Sequence, residues 1–189
     1  MRDLIPKTQL RADAERNRER ILAAAEDVFL ESGAGVSLED VAKRAGVGIG
    51  TLYRRFPTRE ALLAAAYSER FQAFAKISRE RAAGLDPLSA LSMYLEELVQ
   101  QTILYRGFAA SLGTVLQVGT PGCIATSEEG IRLLSCAHQA DAVRHDITFN
   151  DLVCLATAVA LSTEQDSAPK PRIARLVDVF LNGARTPPT

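Results

Sequence analysis

Residues 36–62 read VSLEDVAKRAGVGIGTLYRRFPTREAL, and the spacing of caps, glycines and apolar positions in this stretch decides the fold. Ser37-Leu38-Glu39-Asp40 is an S-x-x-D start in which the serine hydroxyl accepts from a first-turn amide, so a short helix is expected through Arg44. Ala45-Gly46-Val47 turns the chain. A second short helix, roughly Gly48 to Arg55, is closed by Phe56-Pro57, because the residue before proline avoids helical geometry and proline lacks a donor. Thr58 caps a long helix whose apolar positions Leu62, Ala65, Ala66, Phe71, Phe74 and Ile77 carry it toward Gly84. Val41, Ala42, Val47, Leu52 and Phe56 are spaced to pin both short helices inward, which leaves Ile49, Gly50, Tyr53 and Arg54 facing out.

Working outward, Ile21, Ala24, Ala25, Val28 and Phe29 make one face of an amphipathic helix that stops at Ser32-Gly33. Residues 1–13 read as a basic-leaning, frayed arm, with Arg2, Lys7 and Arg11 as candidates for a minor-groove contact. Downstream, Asp86-Pro87 is a cap with proline at the first helical position and launches a helix from Leu88 to about Tyr105. Further helices are expected at Phe108–Val118, Glu128–Val143, Asn150–Leu161 and from Pro171 or Arg172 to Leu181, with Gly119-Thr120-Pro121-Gly122 as the clearest loop. Alternating strand patterns are missing, so the chain reads as all-α with about nine helices, divided at 1–58 and 59–189.

With 189 residues, 47% hydrophobic and 24% charged, the chain has apolar surface for a core and charge to stay soluble. Its start is too polar for a signal peptide and no run of about 20 apolar residues appears, so the cytoplasm is the expected location, with no membrane partner. Cys123, Cys136 and Cys154 show no CxxC spacing; they read as reduced packing thiols, with a redox role considered only for Cys123. Neither a metal site nor a cofactor is expected. Without a nucleophile-base-orienter spacing or a phosphate loop, no catalytic residue is assigned and the chain is not read as an enzyme. Net charge is −1, yet Val41–Arg59 holds five Lys/Arg and no acid, the local basic patch that a phosphate-facing surface requires.

Two short helices joined by a glycine turn and flanked by two others form a helix-turn-helix module, whose second helix enters the DNA major groove. From Ile21 to Leu63, and above all in G-T-L-Y-x-x-F-P-T-[KR]-E-A-L, the chain resembles the DNA-binding region of tetracycline-repressor (TetR) family regulators. The resemblance implies phosphate contacts from Ser37 or Leu38, from Gly48, Thr51 and Tyr53, and from Arg59 at the next helix start, most of which fix register. Gly50 is where the backbone comes close to DNA. Base reading falls to Ile49, Arg54 and Arg55, since arginine suits guanine and isoleucine a thymine methyl; for the two arginines, phosphate neutralisation is the plainer alternative. Relatives often carry Ser or Thr where this chain has Gly48, a departure that removes a capping hydroxyl.

Beyond Gly84, GLDPLSALSMYLEELVQQTILYRGFAASL looks like the start of the ligand-binding part of an actinobacterial-type TetR subgroup. Phe74, Met93, Tyr94, Tyr105, Phe108, Leu112, Leu116 and Leu134 form an apolar pool with tyrosine hydroxyls as handles, a recipe for an effector pocket that His138 could face; core packing is the competing reading for each. The resemblance also implies a homodimer on a palindromic operator. Its four-helix interface is expected from Leu152, Ala156, Val159 and Ala160 with Ile173, Leu176, Val177 and Phe180. The function so implied is a repressor of a double-stranded DNA operator, released by a small-molecule effector; a regulator without such a ligand, or an activator, are the alternatives.

Overall fold

The structure, a computed structural model, describes residues 7–186, with side chains from Asp13 onward. Ten α-helices and one 3-10 turn succeed one another: α1 (Lys7–Ser32), α2 (Leu38–Ala45), α3 (Ile49–Arg55), α4 (Arg59–Ala66), α5 (Ser68–Ala82), α6 (Pro87–Ile103), the 3-10 turn (Ala109–Ser111), α7 (Leu112–Leu116), α8 (Pro121–Gln139), α9 (Phe149–Thr163) and α10 (Pro169–Ala184). The expected all-α class holds, and the described residues contain no strand. The arm expected to residue 13 is corrected from Lys7 on, where α1 already begins; Arg2 lies outside the described residues, as do the side chains of Lys7 and Arg11.

The helix-turn-helix forms as its caps dictate. Ser37, extended at φ −62° and ψ 137°, accepts from the Glu39 amide at 3.2 Å and starts α2. Gly46 ends it in the left-handed region at φ 63°, and a β-carbon there would lie 2.5 Å from the Arg20 guanidinium that covers the turn. Val41, Leu52 and Phe56 are buried, and with Ile21, Ala25 and Phe29 of α1 they make the core of this half.

The expected long helix from Thr58 is two helices. Thr58 caps α4 by accepting from Ala61 N at 3.0 Å, but the helix breaks at Tyr67, φ −95° and ψ 3°, before α5 starts. Tyr67 is turned inward, where its ring stacks on Tyr105 at 4.1 Å and meets Phe108 edge-on at 5.2 Å. The N-terminus of α8 packs into this break: Gly122 N donates to Ser68 Oγ at 3.0 Å and Thr120 Oγ1 donates to the Ala64 carbonyl at 3.3 Å. Residues 119–122 are thus no open loop, because Thr120 caps α8 by accepting from Cys123 N and Pro121 supplies its first turn.

Below that junction α5 and α8 lie side by side. Fully buried Glu129 of α8 accepts from Arg79 Nε of α5 at 2.9 Å and from Arg132 Nη2 at 2.6 Å. Burial alone would raise its pKa; the Arg132 and Arg79 hydrogen bonds outweigh it and hold the carboxyl below its usual range. Cys123 is buried too, its Sγ donating to the Val115 carbonyl at 3.1 Å, and burial pushes the thiol up. A protonated, enclosed thiol answers the redox reading of Cys123 with packing.

Candidate nucleic-acid interface

Helix α3, the second of the two short helices, is anchored by buried Leu52 and held between the Gly46 turn and Phe56. Gly50, Tyr53, Arg54 and Arg55 are exposed, Tyr53 to 45%, so one side of a seven-residue helix is given over to solvent. A β-carbon on Gly50 would meet nothing within 4 Å, so no protein neighbour demands glycine there. Gly48 caps α3 without a side-chain hydrogen bond and is equally open. Thr51 is half-buried and accepts from Arg54 Nη2 at 3.1 Å, which holds the guanidinium along the helix. A shallow cleft between this edge and α1 is lined by Ala14, Asn17, Thr51, Arg54 and Arg55. Asn17 therefore belongs with the candidate contacts, although nothing in the amphipathic pattern of α1 singles it out.

Three assignments change with the geometry. The Leu38 side chain is buried at 5% exposure, so only its backbone is free to meet a phosphate. Ile49 packs partly against the core instead of standing wholly outward. Arg59 is half-buried, and its Nη1 donates to the carbonyls of Ala34 at 2.7 Å and Val36 at 2.5 Å, so the side chain clasps the α1–α2 loop. Ser37 stays exposed with its hydroxyl on the Glu39 carboxylate. Of the five basic residues in the patch, Arg44 pairs with Glu31 at 2.8 Å, while Lys43, Arg54 and Arg55 have no acidic partner among the described residues and carry the positive face.

The model for bacterial regulatory proteins of the tetR family matches residues 21–66, and that for the C-terminal domain of SbtR-like transcriptional regulators matches residues 86–186, more than half of the chain. The chain belongs to the TetR family of transcriptional regulators. The TetR regulator SCO0520 of Streptomyces coelicolor is 33% identical, with 90% of this chain covering 99% of that one at a TM-score of 0.56. The repressor KstR of Mycobacterium tuberculosis is 35% identical over 98 residues, 50% of this chain and 44% of KstR, so this chain spans less than half the length of that relative. RolR, solved with resorcinol, shares the fold at a TM-score of 0.69 and 20% identity, with 93% of this chain on 91% of that one.

In this TetR regulator the residues expected for an effector pocket and a dimer interface lie from α5 to α10. Of the expected effector pool, Phe74, Tyr94, Tyr105, Phe108, Leu112, Leu116 and Leu134 are buried and packed, with Phe74 and Tyr94 rings 5.2 Å apart. They are packed in the core, and Tyr105 and Phe108 border a small cleft shared with Tyr67, Arg70, Phe71 and Gln101. Met93 lines an open polar groove with Glu96 and Glu97 instead. His138 stands apart beside His145, ring centroids 5.1 Å apart, with its Nε2 buried and unpartnered. On α9 and α10, Leu152, Ala156, Val159, Ala160, Ile173 and Val177 are all buried within the single chain, so they close its own core. The apolar positions that face outward are Ala158 and Leu161 on α9 and Val179 on α10, beside half-buried Leu176 and Phe180.

Substitutions on α3 separate the helix from its contact. Gly50→Ala is expected to stabilise the fold by about 0.5–1 kcal/mol, since alanine loses less backbone freedom in a helix. DNA affinity is expected to fall in the same variant, because a methyl group there would intrude on the close approach to DNA that the family resemblance implies at Gly50. Gly48→Ser is expected to raise stability by only about 0.2–0.5 kcal/mol by supplying the absent capping hydroxyl, without loss of affinity. Urea titration and fluorescence anisotropy on one duplex check both; a Gly50→Ala protein that binds as tightly as its parent removes the close approach.

Proposed function

We propose that this TetR regulator is a dimeric repressor that reads a palindromic operator with α3 of each protomer and leaves it when a small-molecule effector binds the C-terminal helices. The observation that carries the reading is the outward edge of α3, where Tyr53, Arg54 and Arg55 project beside an unobstructed Gly50 from a helix pinned by Leu52. Tyr53 and Thr51 suit phosphate; Arg54 and Arg55 have the fork geometry for guanine. One such helix covers too few base pairs for useful specificity, and a two-fold pair on successive major grooves, about 34–36 Å apart, supplies the rest. The dimer face we assign is the outer side of α9 and α10. Repression is inferred from relatives such as KstR, named a repressor, and the cytoplasm from the DNA partner. For the effector, RolR with resorcinol is a precedent within the fold.

Selection from a random duplex library at fixed salt tests the reading. It is expected to enrich an inverted repeat, and Tyr53→Ala is expected to weaken binding at least about tenfold with unchanged circular dichroism. Enriched sequences without two-fold symmetry would overturn the dimeric operator, and an unaffected Tyr53→Ala protein would overturn the use of α3.

Arg59→Ala divides clasp from contact. A simple phosphate contact would leave stability alone and flatten the salt slope by about one ion. With its guanidinium on the Ala34 and Val36 carbonyls, the variant is expected instead to lose about 1–3 kcal/mol of stability, as for other hydrogen bonds to a charged group. Its affinity is expected to fall with little change in slope. An unchanged urea midpoint would return Arg59 to the phosphate contacts.

A further inference from the structure

The small cleft at the α4–α5 break has the chemistry of a ligand site. Tyr67 is 2% exposed, and its hydroxyl is buried without any hydrogen-bond partner in the protein. Buried hydroxyls are nearly always paired, so an orphan in the wall of a cleft points to a partner from outside the chain. Burial pushes this hydroxyl far above its ordinary pKa, so it is a donor at any working pH. Around it stand the rings of Tyr105 and Phe108, and at the mouth lies the exposed side chain of Arg70. Arg70 Nη1 donates to Tyr105 Oη at 2.7 Å, its Nη2 reaches Gln101 Oε1 at 3.4 Å, and its guanidinium sits 5.3 Å from the Tyr105 ring centre. With Arg70 so placed the cleft measures about 10 Å³, room for at most one water, and Arg70 is its movable wall. Ser78 Oγ of α5 is also buried and unpartnered, but Ser78 does not line the larger open groove between α5 and α8, over Ala73 and Ala75.

We propose that this cleft, opened by outward rotation of Arg70, is the effector site and takes a small planar aryl carboxylate. The ligand ring lies against Tyr105 and Phe108, and its carboxylate is held by the Arg70 guanidinium and the Tyr67 hydroxyl. The assignment rests on the proposal that an effector binds the C-terminal helices, and names the ligand class and its route of action. Tyr105 and Phe108 bracket Arg106 and Gly107, whose backbone ties the two halves of the chain together. The Arg106 carbonyl accepts from Ala34 N at 2.8 Å, in the loop that Arg59 clasps, and Gly107 N donates to Glu164 Oε1 at 2.5 Å, just past the end of α9. Gly33 is pressed so close that a β-carbon on it would lie 2.7 Å from the Arg106 carbonyl oxygen. A ligand that parts Tyr105 and Phe108 from Tyr67 therefore moves the strap that links the helix-turn-helix to α9. That supplies the differential contact between two states which an inducer requires.

Benzoate is the probe, with benzyl alcohol as the uncharged control and cyclohexanecarboxylate as the non-aromatic one, on the full chain and its selected operator. Benzoate is expected to raise the melting temperature, quench tyrosine fluorescence and weaken operator binding, with both controls at least about tenfold weaker. Tyr67→Phe is expected to weaken benzoate several-fold while its own melting temperature stays level or rises, because an unpaired hydroxyl is removed. Arg70→Ala is expected to erase the preference of benzoate over benzyl alcohol. Glu164→Ala is expected to bind benzoate normally but release the operator less; release equal to that of the parent protein overturns the strap. Absence of benzoate binding, or equal binding by parent and Arg70→Ala proteins, overturns the site. If a wider compound screen then still finds one that releases the operator, the effector reading survives without this site; if none does, both fall.

Discussion

Gly122→Ala is expected to cost the protein about 3 kcal/mol or more, at the upper end of what overpacking a core imposes. A β-carbon at this position would lie 2.7 Å from Ser68 Cα and 2.8 Å from Ser68 C, and both are backbone atoms that no rotamer change moves aside. Relief requires the first turn of α8 to lift from the α4–α5 break, which breaks the Gly122 N to Ser68 Oγ bond and disturbs the Thr120 seat on Ala64. In a chain of this size the loss corresponds to a fall of roughly 6–12 °C in melting temperature. Gly113→Ala is the control, since a β-carbon there meets only Val153 Cγ1 at 3.8 Å, an ordinary contact, and also lies in a helix. A Gly122→Ala protein within about 1 kcal/mol of its parent would mean that α8 is not seated on Ser68. Because α4 leads straight into the helix-turn-helix, the surviving folded fraction is also expected to bind its operator less tightly.

The parts of this fold legible in the sequence are those written in local chemistry. Ser37, Gly46, Thr58 and Asp86 each act within a few residues of themselves, and the helices they start or stop lie where local spacing puts them. The break at Tyr67 is different. Residues 59–82 contain no proline or glycine, and the interruption comes from rings of Tyr105 and Phe108 some forty residues onward. The start of α8 is legible but easily misread: Thr120-Pro121 has the same cap-and-proline grammar as Asp86-Pro87, and two flanking glycines hide it. In the interface, outward Tyr53 and Arg54 follow from helical spacing alone. The clasp of Arg59 does not, since its partners are carbonyls on a loop that precedes it by two helices.

Val179→Glu and Val177→Glu, two residues apart on α10, are expected to fail in opposite ways. Val177 is fully buried, so a carboxylate there has no partner, and the variant is expected to lose several kcal/mol and much of its helix content. Val179 is 64% exposed on the single chain, and Leu161 of the neighbouring α9 is 54% exposed. Apolar side chains this open on adjacent helices suit the proposed dimer face, and with Ala158 and Gly183 beside them the helices of a second copy have room to approach. The spacing that suggests Ala156 and Val177 as the interface selects residues that the single chain buries, because α9 is apolar nearly all round and periodicity alone does not say which side meets its own core. On the proposed face a carboxylate at Val179 would be buried without a partner when a second copy docks, so Val179→Glu is expected to sediment as a monomer with its helix content intact. Each monomer then holds one half-site without the effective concentration that the first lends to the second, and operator affinity is expected to drop on the order of 10²–10⁴-fold. Sedimentation velocity and anisotropy on the full operator and on a half-site check this: half-site binding is expected to survive. A Val179→Glu protein that still sediments as a dimer moves the interface off this face of α9 and α10.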